Sequence, residues 1–101
     1  MVTMKYRTHP FLVTVNRIRF VEVWIDPHYE TSHGDTMTDA LILALVWQLD
    51  GRIYNSQSES VNGYSFFVSD VCHNEKPYRL VWLTPSGNGY LGVRTAFRRS
   101  K

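Results

Sequence analysis

Arginines crowd the last third of the chain. Arg79, Arg94, Arg98 and Arg99 lie there with Tyr90 among them, and His28 and His33 sit in the loop before the main helix. A guanidinium is planar, permanently charged and matched to carboxylate or phosphate oxygens. An imidazole can give or take a proton near neutral pH. Asp26, Glu30 and Asp35 share the histidine loop and are placed to tune it. What this set can do depends on whether folding brings it together.

Other chemistries fit less well. His28 and His33 are five apart, which is not a helical or hairpin metal spacing, and the chain has no HxxxH, HExxH or cysteine cluster, so no metal and no cofactor is expected. A nucleophile-elbow motif is missing. Pro85-Ser-Gly-Asn-Gly89 contains glycines but reads as a hairpin turn, not a phosphate loop. Cys72, the single cysteine, reads as a small hydrophobe at a strand end; it can form no disulfide within the chain, which fits a reducing cytoplasm.

The 101 residues suit one domain, with 44% hydrophobic and 20% charged residues, an ordinary globular balance. A net charge of +2 is too small to hold nucleic acid globally, so a local patch must do it. Arg94, Arg98, Arg99 and Lys101 form such a patch without an acid among them. The longest apolar run, Ala40 to Trp47, is too short to span a bilayer, and Phe11-Leu12-Val13 is too short for a signal core, so a soluble, cytoplasmic protein without membrane contact is expected.

The elements that must position these residues follow from period and punctuation. Residues 1–16 read as an N-terminal arm and 17–101 as the domain. Arg17 to Asp26 is rich in β-branched and aromatic residues and ends at Pro27, which predicts a strand. Thr36 is the expected N-cap of a helix that stops at Gly51. That helix is apolar on nearly every side, as a central core helix or a partner-binding helix would be. Arg52 to Glu59 reads as a polar edge strand, and Asn62-Gly63 as a type I′ turn before Tyr64 to Cys72. Tyr78 to Leu83 and Tyr90 to Arg98 complete a meander. The predicted class is α+β: an antiparallel sheet of about five strands, in the order β-α-β-β-β-β, with one main helix on one face.

Register decides whether the arginines can meet, because side chains alternate faces along a strand. A four-residue turn at His73 to Lys76 puts Asp70 opposite Arg79. With a tight turn at Pro85 to Asn88 or at Asn88-Gly89, Arg79 shares a face with Tyr90, Arg94 and Arg98. Leu80, Trp82, Leu91, Val93 and Phe97 then fall on the other face, under the helix. Like charges facing one another are destabilising, so an arginine face is best explained if an anion visits it. The competing explanation is a solvated surface with an ordinary Asp70–Arg79 pair.

The segment Tyr78-Arg79-Leu80-Val81-Trp82, a turn, then Val93-Arg94-Thr95-Ala96-Phe97-Arg98-Arg99 resembles the closing strands of the RelE/ParE toxin superfamily. The resemblance covers about the last 35 residues well and residues 17 to 51 in outline. It implies a toxin of a bacterial toxin-antitoxin system, a metal-independent endoribonuclease that cleaves mRNA, often on the ribosome, and is held in check by a cognate antitoxin. Arg79 and Arg98 would then be catalytic with His28 and His33, while Arg94, Arg99 and Tyr90 would bind RNA. The chain departs from the family in having one helix before the meander, in Phe97 where many members have a histidine, and in lacking a C-terminal tyrosine. The alternative within the same fold is a non-enzymatic interaction module, either a gyrase-type poison or an antitoxin- or immunity-like partner.

Overall fold

A computed structural model describes residues 6–56, 58–61, 63–87 and 89–99. Its elements are β1 (Arg7–Val15), β2 (Ile18–Ile25), α1 (Tyr29–His33), α2 (Asp39–Trp47), β3 (Ser58–Val61), β4 (Tyr64–His73), β5 (Lys76–Pro85) and β6 (Leu91–Arg98). The fold is α+β, as expected, with a six-stranded sheet in the order β1-β2-β6-β5-β4-β3. Of the five neighbouring pairs in that order four are antiparallel and one is parallel, β2 with β6. Among the described residues no helix is long and apolar enough to cross a membrane.

One face of the sheet is the core. Leu80, Trp82, Leu91, Val93 and Ala96 meet Ile42, Leu45, Val46 and Leu49 of the α2 region there, all 0–1% exposed. Trp82 anchors this layer: its ring stacks on Phe67 with centroids 4.1 Å apart, and Tyr54 meets it edge-on. Its indole N–H donates to the Ser69 hydroxyl at 3.0 Å, so the one polar atom of a fully buried side chain is satisfied. The apolar character of α2 is therefore mainly that of a core helix, although Trp47 at its end remains exposed.

Segments read as an arm, a loop and an edge strand differ in the structure. Residues 7–15 form β1, because Asn16 and Arg17 both adopt positive φ (55° and 67°) and close a two-residue hairpin onto β2. The apolar signal in β1 is interrupted by a register shift between Pro10 and Val13, which hides its period. Within the loop before the main helix, Tyr29–His33 forms a single helical turn. Thr38 rather than Thr36 caps α2, its hydroxyl accepting from the Leu41 N–H at 3.1 Å. The strand expected over Arg52 to Glu59 lies later, at Ser58–Val61, with Arg52 making an isolated bridge to Val15. Gly63 has the positive φ that the expected turn needs, 82°, while its partner Asn62 lies outside the described residues.

Asp39 ties β1, α1 and α2 together. Its carboxylate accepts from Arg7 Nε at 2.7 Å and Arg7 Nη2 at 2.8 Å, from the Tyr29 hydroxyl at 2.7 Å, and lies 2.9 Å from His9 Nε2. Arg7 also reaches Glu30 of α1 at 2.8 Å. The Arg7 guanidinium, with help from His9 and Tyr29, holds the Asp39 carboxyl well below the usual carboxylate range. Burial and the Asp39 charge push the Tyr29 phenol up to about 12. A carboxyl depressed in the folded protein contributes stability above its unfolded value, near pH 4, and loses that contribution as pH falls further. Asp39→Asn is expected to cost about 1–3 kcal/mol at pH 7. In denaturant titrations, its deficit relative to the wild type is expected to hold level down to about pH 5 and to shrink as pH falls through and below about 4.

Candidate functional site

The meander keeps the first half of the expected register and breaks the second. Asp70 pairs with Arg79, and Asn74 and Glu75 turn with φ of 52° and 65°. On the next hairpin Leu83 pairs with Gly92 and Trp82 with Val93, which leaves Tyr90 and Arg94 on the sheet's open face as expected. A bulge then intervenes. Val81 pairs with Thr95, so Arg94 is an extra residue and parity reverses beyond it.

The reversal moves Arg98 opposite Tyr78, onto the helix side, and moves Phe97 opposite Arg79, onto the open face. Arg79, Arg94 and Arg98 therefore do not share a face, and Ala96 fills the core position that Phe97 was expected to fill. No periodicity argument could find this, because a single inserted residue in a strand has no compositional mark here.

Asp70 engages the arginines at one end of the open face. It accepts from Arg79 Nε at 2.8 Å and from Arg99 Nη1 at 3.1 Å. Arg79, and more weakly Arg99, hold the Asp70 carboxyl below its ordinary value. Arg79 is thus already matched to an anion of the protein itself.

Arg94 is different. It is exposed and borders two concavities at once. The first is a dip of about 180 Å³ on the open face, lined by Tyr6, Tyr64, Phe66, Leu83, Tyr90 and Gly92. Gly92 lies at the base of the dip, where Leu83 and Tyr90 close over it. It pairs with Trp24 on one side and Leu83 on the other, and the Tyr90 ring stacks on Trp24 with centroids 4.0 Å apart and planes 7° apart. Burial, with the Tyr64 phenol alongside, pushes the Tyr90 phenol up to about 12.

The second concavity, about 500 Å³, lies between α1 and β6 and is lined by Asp26, His28, Tyr29, Ser32, His33 and Thr95 as well as Arg94. Asp26 shapes its entrance: its carboxylate accepts the His28 N–H at 2.9 Å, an Asx turn that swings the chain out of β2 into α1. His28 stands at the start of α1 and His33 at its end, roughly 7 Å apart along the axis by helical rise. His33 stacks on Phe97 with centroids 5.2 Å apart, so the bulge that displaced Phe97 also created the platform for this imidazole.

His33 in turn borders a third hollow with Lys76, Arg98 and Arg99, where Glu75 is the one acid. The three concavities form a chain: aromatic side chains, then Arg94, then two histidines, then a basic end. Of the sequence-derived residues, Arg94, Tyr90, His28, His33, Arg98 and Arg99 line this path, whereas Arg79 lies off it. Sequence reasoning missed Trp24, Tyr6 and Tyr64 as site residues. The clue available was the 14% aromatic content, high for a chain with a single small core.

Among the described residues no group of three His, Cys, Asp or Glu side chains is disposed to hold a metal. Comparison with known proteins gives no match to a family model, a curated protein or a solved structure.

A Cβ at residue 92 would lie 2.9 Å from Leu83 Cδ1 and 3.4 Å from Tyr90 Cε1. Gly92→Ala is expected to force Leu83 from its rotamer at a cost of about 1 kcal/mol and to disturb the Tyr90–Trp24 stack. Denaturant titration and the near-ultraviolet circular dichroism of the aromatic groups measure the two effects.

Proposed function

We propose that this chain cleaves RNA without a metal, along the groove over β6, and acts as a toxin controlled by a cognate antitoxin. The observation that carries the reading is Arg94: one guanidinium borders both an aromatic dip and a cleft holding His28 and His33. Aromatic stacking beside a cationic track is how single strands are held irrespective of sequence. The toxin assignment draws on the resemblance of the last two strands to the RelE/ParE superfamily.

The chemistry balances on the chain's own groups. The 2′-oxygen of one nucleotide attacks the adjacent phosphorus, forming the P–O2′ bond and breaking P–O5′. One neutral imidazole takes the 2′-hydroxyl proton, and the other, protonated, gives a proton to the departing 5′-oxygen. Arg94 meets the charge that builds on the non-bridging oxygens. Products are a 2′,3′-cyclic phosphate and a 5′-hydroxyl. Arg98, Arg99 and Lys76 receive the backbone beyond the cut. Arg79 has a lesser place here than the sequence pattern suggests, because Asp70 occupies it.

Trp47 and Ile53, 55% and 60% exposed, favour the second reading, a non-enzymatic module that binds another protein. Turnover separates the two. In buffer with a chelator, purified protein is expected to cut single-stranded RNA to cyclic-phosphate ends. His28→Ala and His33→Ala should each slow the cut about 10²–10⁴-fold, Arg94→Ala at least about 10²-fold, and Arg79→Ala only a few-fold. No cleavage at excess protein, or an unchanged rate in Arg94→Ala, sinks the nuclease reading.

A further inference from the structure

We infer that the dip over Gly92 is a base subsite that accepts one pyrimidine ring and thereby selects which phosphate reaches Arg94. The inference rests on the RNA reading and adds a specificity to it.

Size is the first reason. The dip measures about 180 Å³. Apolar cavities of about 150 Å³ take up a single benzene ring. A six-membered base matches that space, and the fused rings of a purine would stand further out of it. Rigidity is the second. Tyr90 forms one wall and is fixed by its parallel stack on Trp24, whose indole N–H is in turn held by Glu22 at 3.0 Å. Leu83, 9% exposed, forms the floor against Gly92, and Phe66 and Tyr64 close the far side. A ring entering the dip meets a preformed slot and loses little freedom beyond its own.

Chemistry is the third. Phenols are the polar groups among the aromatic walls, and Tyr90 keeps its proton at any physiological pH. Phenol O–H groups donate, and uracil and cytosine carry exocyclic carbonyl oxygens to accept; the ring nitrogens of adenine accept too, so this contact favours a base over an apolar ring and leaves the preference for a pyrimidine to size. Adjacency is the fourth. Arg94 lines the same dip, so a base seated there places its own phosphate at the guanidinium and at the mouth of the histidine cleft.

Short 2′-O-methyl RNAs test this, because they lack the free 2′-hydroxyl and cannot be cut. Oligo-U, oligo-C and oligo-A of about six nucleotides are titrated against the full chain by fluorescence anisotropy at fixed salt. Oligo-U and oligo-C are expected to bind about ten-fold more tightly than oligo-A. Phe66→Leu, which keeps an apolar side chain in place, should erase most of that preference. Tyr90→Phe, which keeps the stack and removes the hydroxyl, should weaken binding about two- to ten-fold and leave the preference in place. Arg94→Ala should weaken all three oligonucleotides alike and lower the salt dependence by about one counterion. Equal affinity for the three RNAs, with Arg94→Ala still weakening them all, overturns the base subsite and leaves the RNA reading standing. Failure of every oligonucleotide to bind overturns both.

Discussion

The fold holds α1 in place through one carboxylate. Asp39 opens α2, yet its partners come from β1, about thirty residues back, and from α1, so two other segments converge on its two oxygens. It is partly shielded, at 18% side-chain exposure, where ion pairing is screened less than at the open surface. A helix of one turn has no stability of its own, since nucleation costs more than its few hydrogen bonds return. What keeps Tyr29–His33 helical is the buried Tyr29 ring and its bond to Asp39, together with the Arg7–Glu30 contact. His28 and His33 are presented to β6 because that turn is anchored from behind.

On the β6 side the geometry comes from two local irregularities. Gly92 lets Leu83 and Tyr90 pack closely where three strands crowd together, at the base of a hollow ringed by aromatic groups. Two residues later the bulge inserts Arg94 and swaps the faces of everything beyond it. A regular strand would have buried Phe97 opposite Tyr78 and put Arg98 on the same face as Arg79. The irregular one gives His33 a ring to stack on. Bulges of this kind re-aim side chains next to functional sites in many sheets.

Legibility in the sequence followed the same division. Where alternation ran unbroken, as from Tyr64 to Leu83, strand faces, the Asp70–Arg79 pairing and the Asn74-Glu75 turn could all be worked out from spacing. The helix was visible because Leu41, Leu45, Val46 and Leu49 recur at helical intervals and Gly51 ends it; the structure buries Ile42 with the last three and leaves Leu41 half-buried. Two interruptions were invisible. The register shift in β1 scattered its apolar residues enough to look like an arm, and the extra residue at Arg94 undid half of the arginine face. The parallel pairing of β2 with β6 had no local signal either, since it depends on contacts across almost the whole chain. Arg94, Tyr90, His28 and His33 were named from residue type, but their meeting around one guanidinium could be seen only once the bulge and α1 were placed.

The sheet order carries a consequence for how the site comes into being. β6 lies between β2 and β5 although it follows every other strand in sequence, so the β1–β2 hairpin and the β3–β4–β5 meander are separate halves until it arrives. Such non-local closure is slow, because the chain must be brought together before the contacts reward it. The hollows bordered by Arg94, His33 and Arg98 lie along that strand. A partly folded chain therefore has its halves but not these hollows, which form only with the final closure of the sheet.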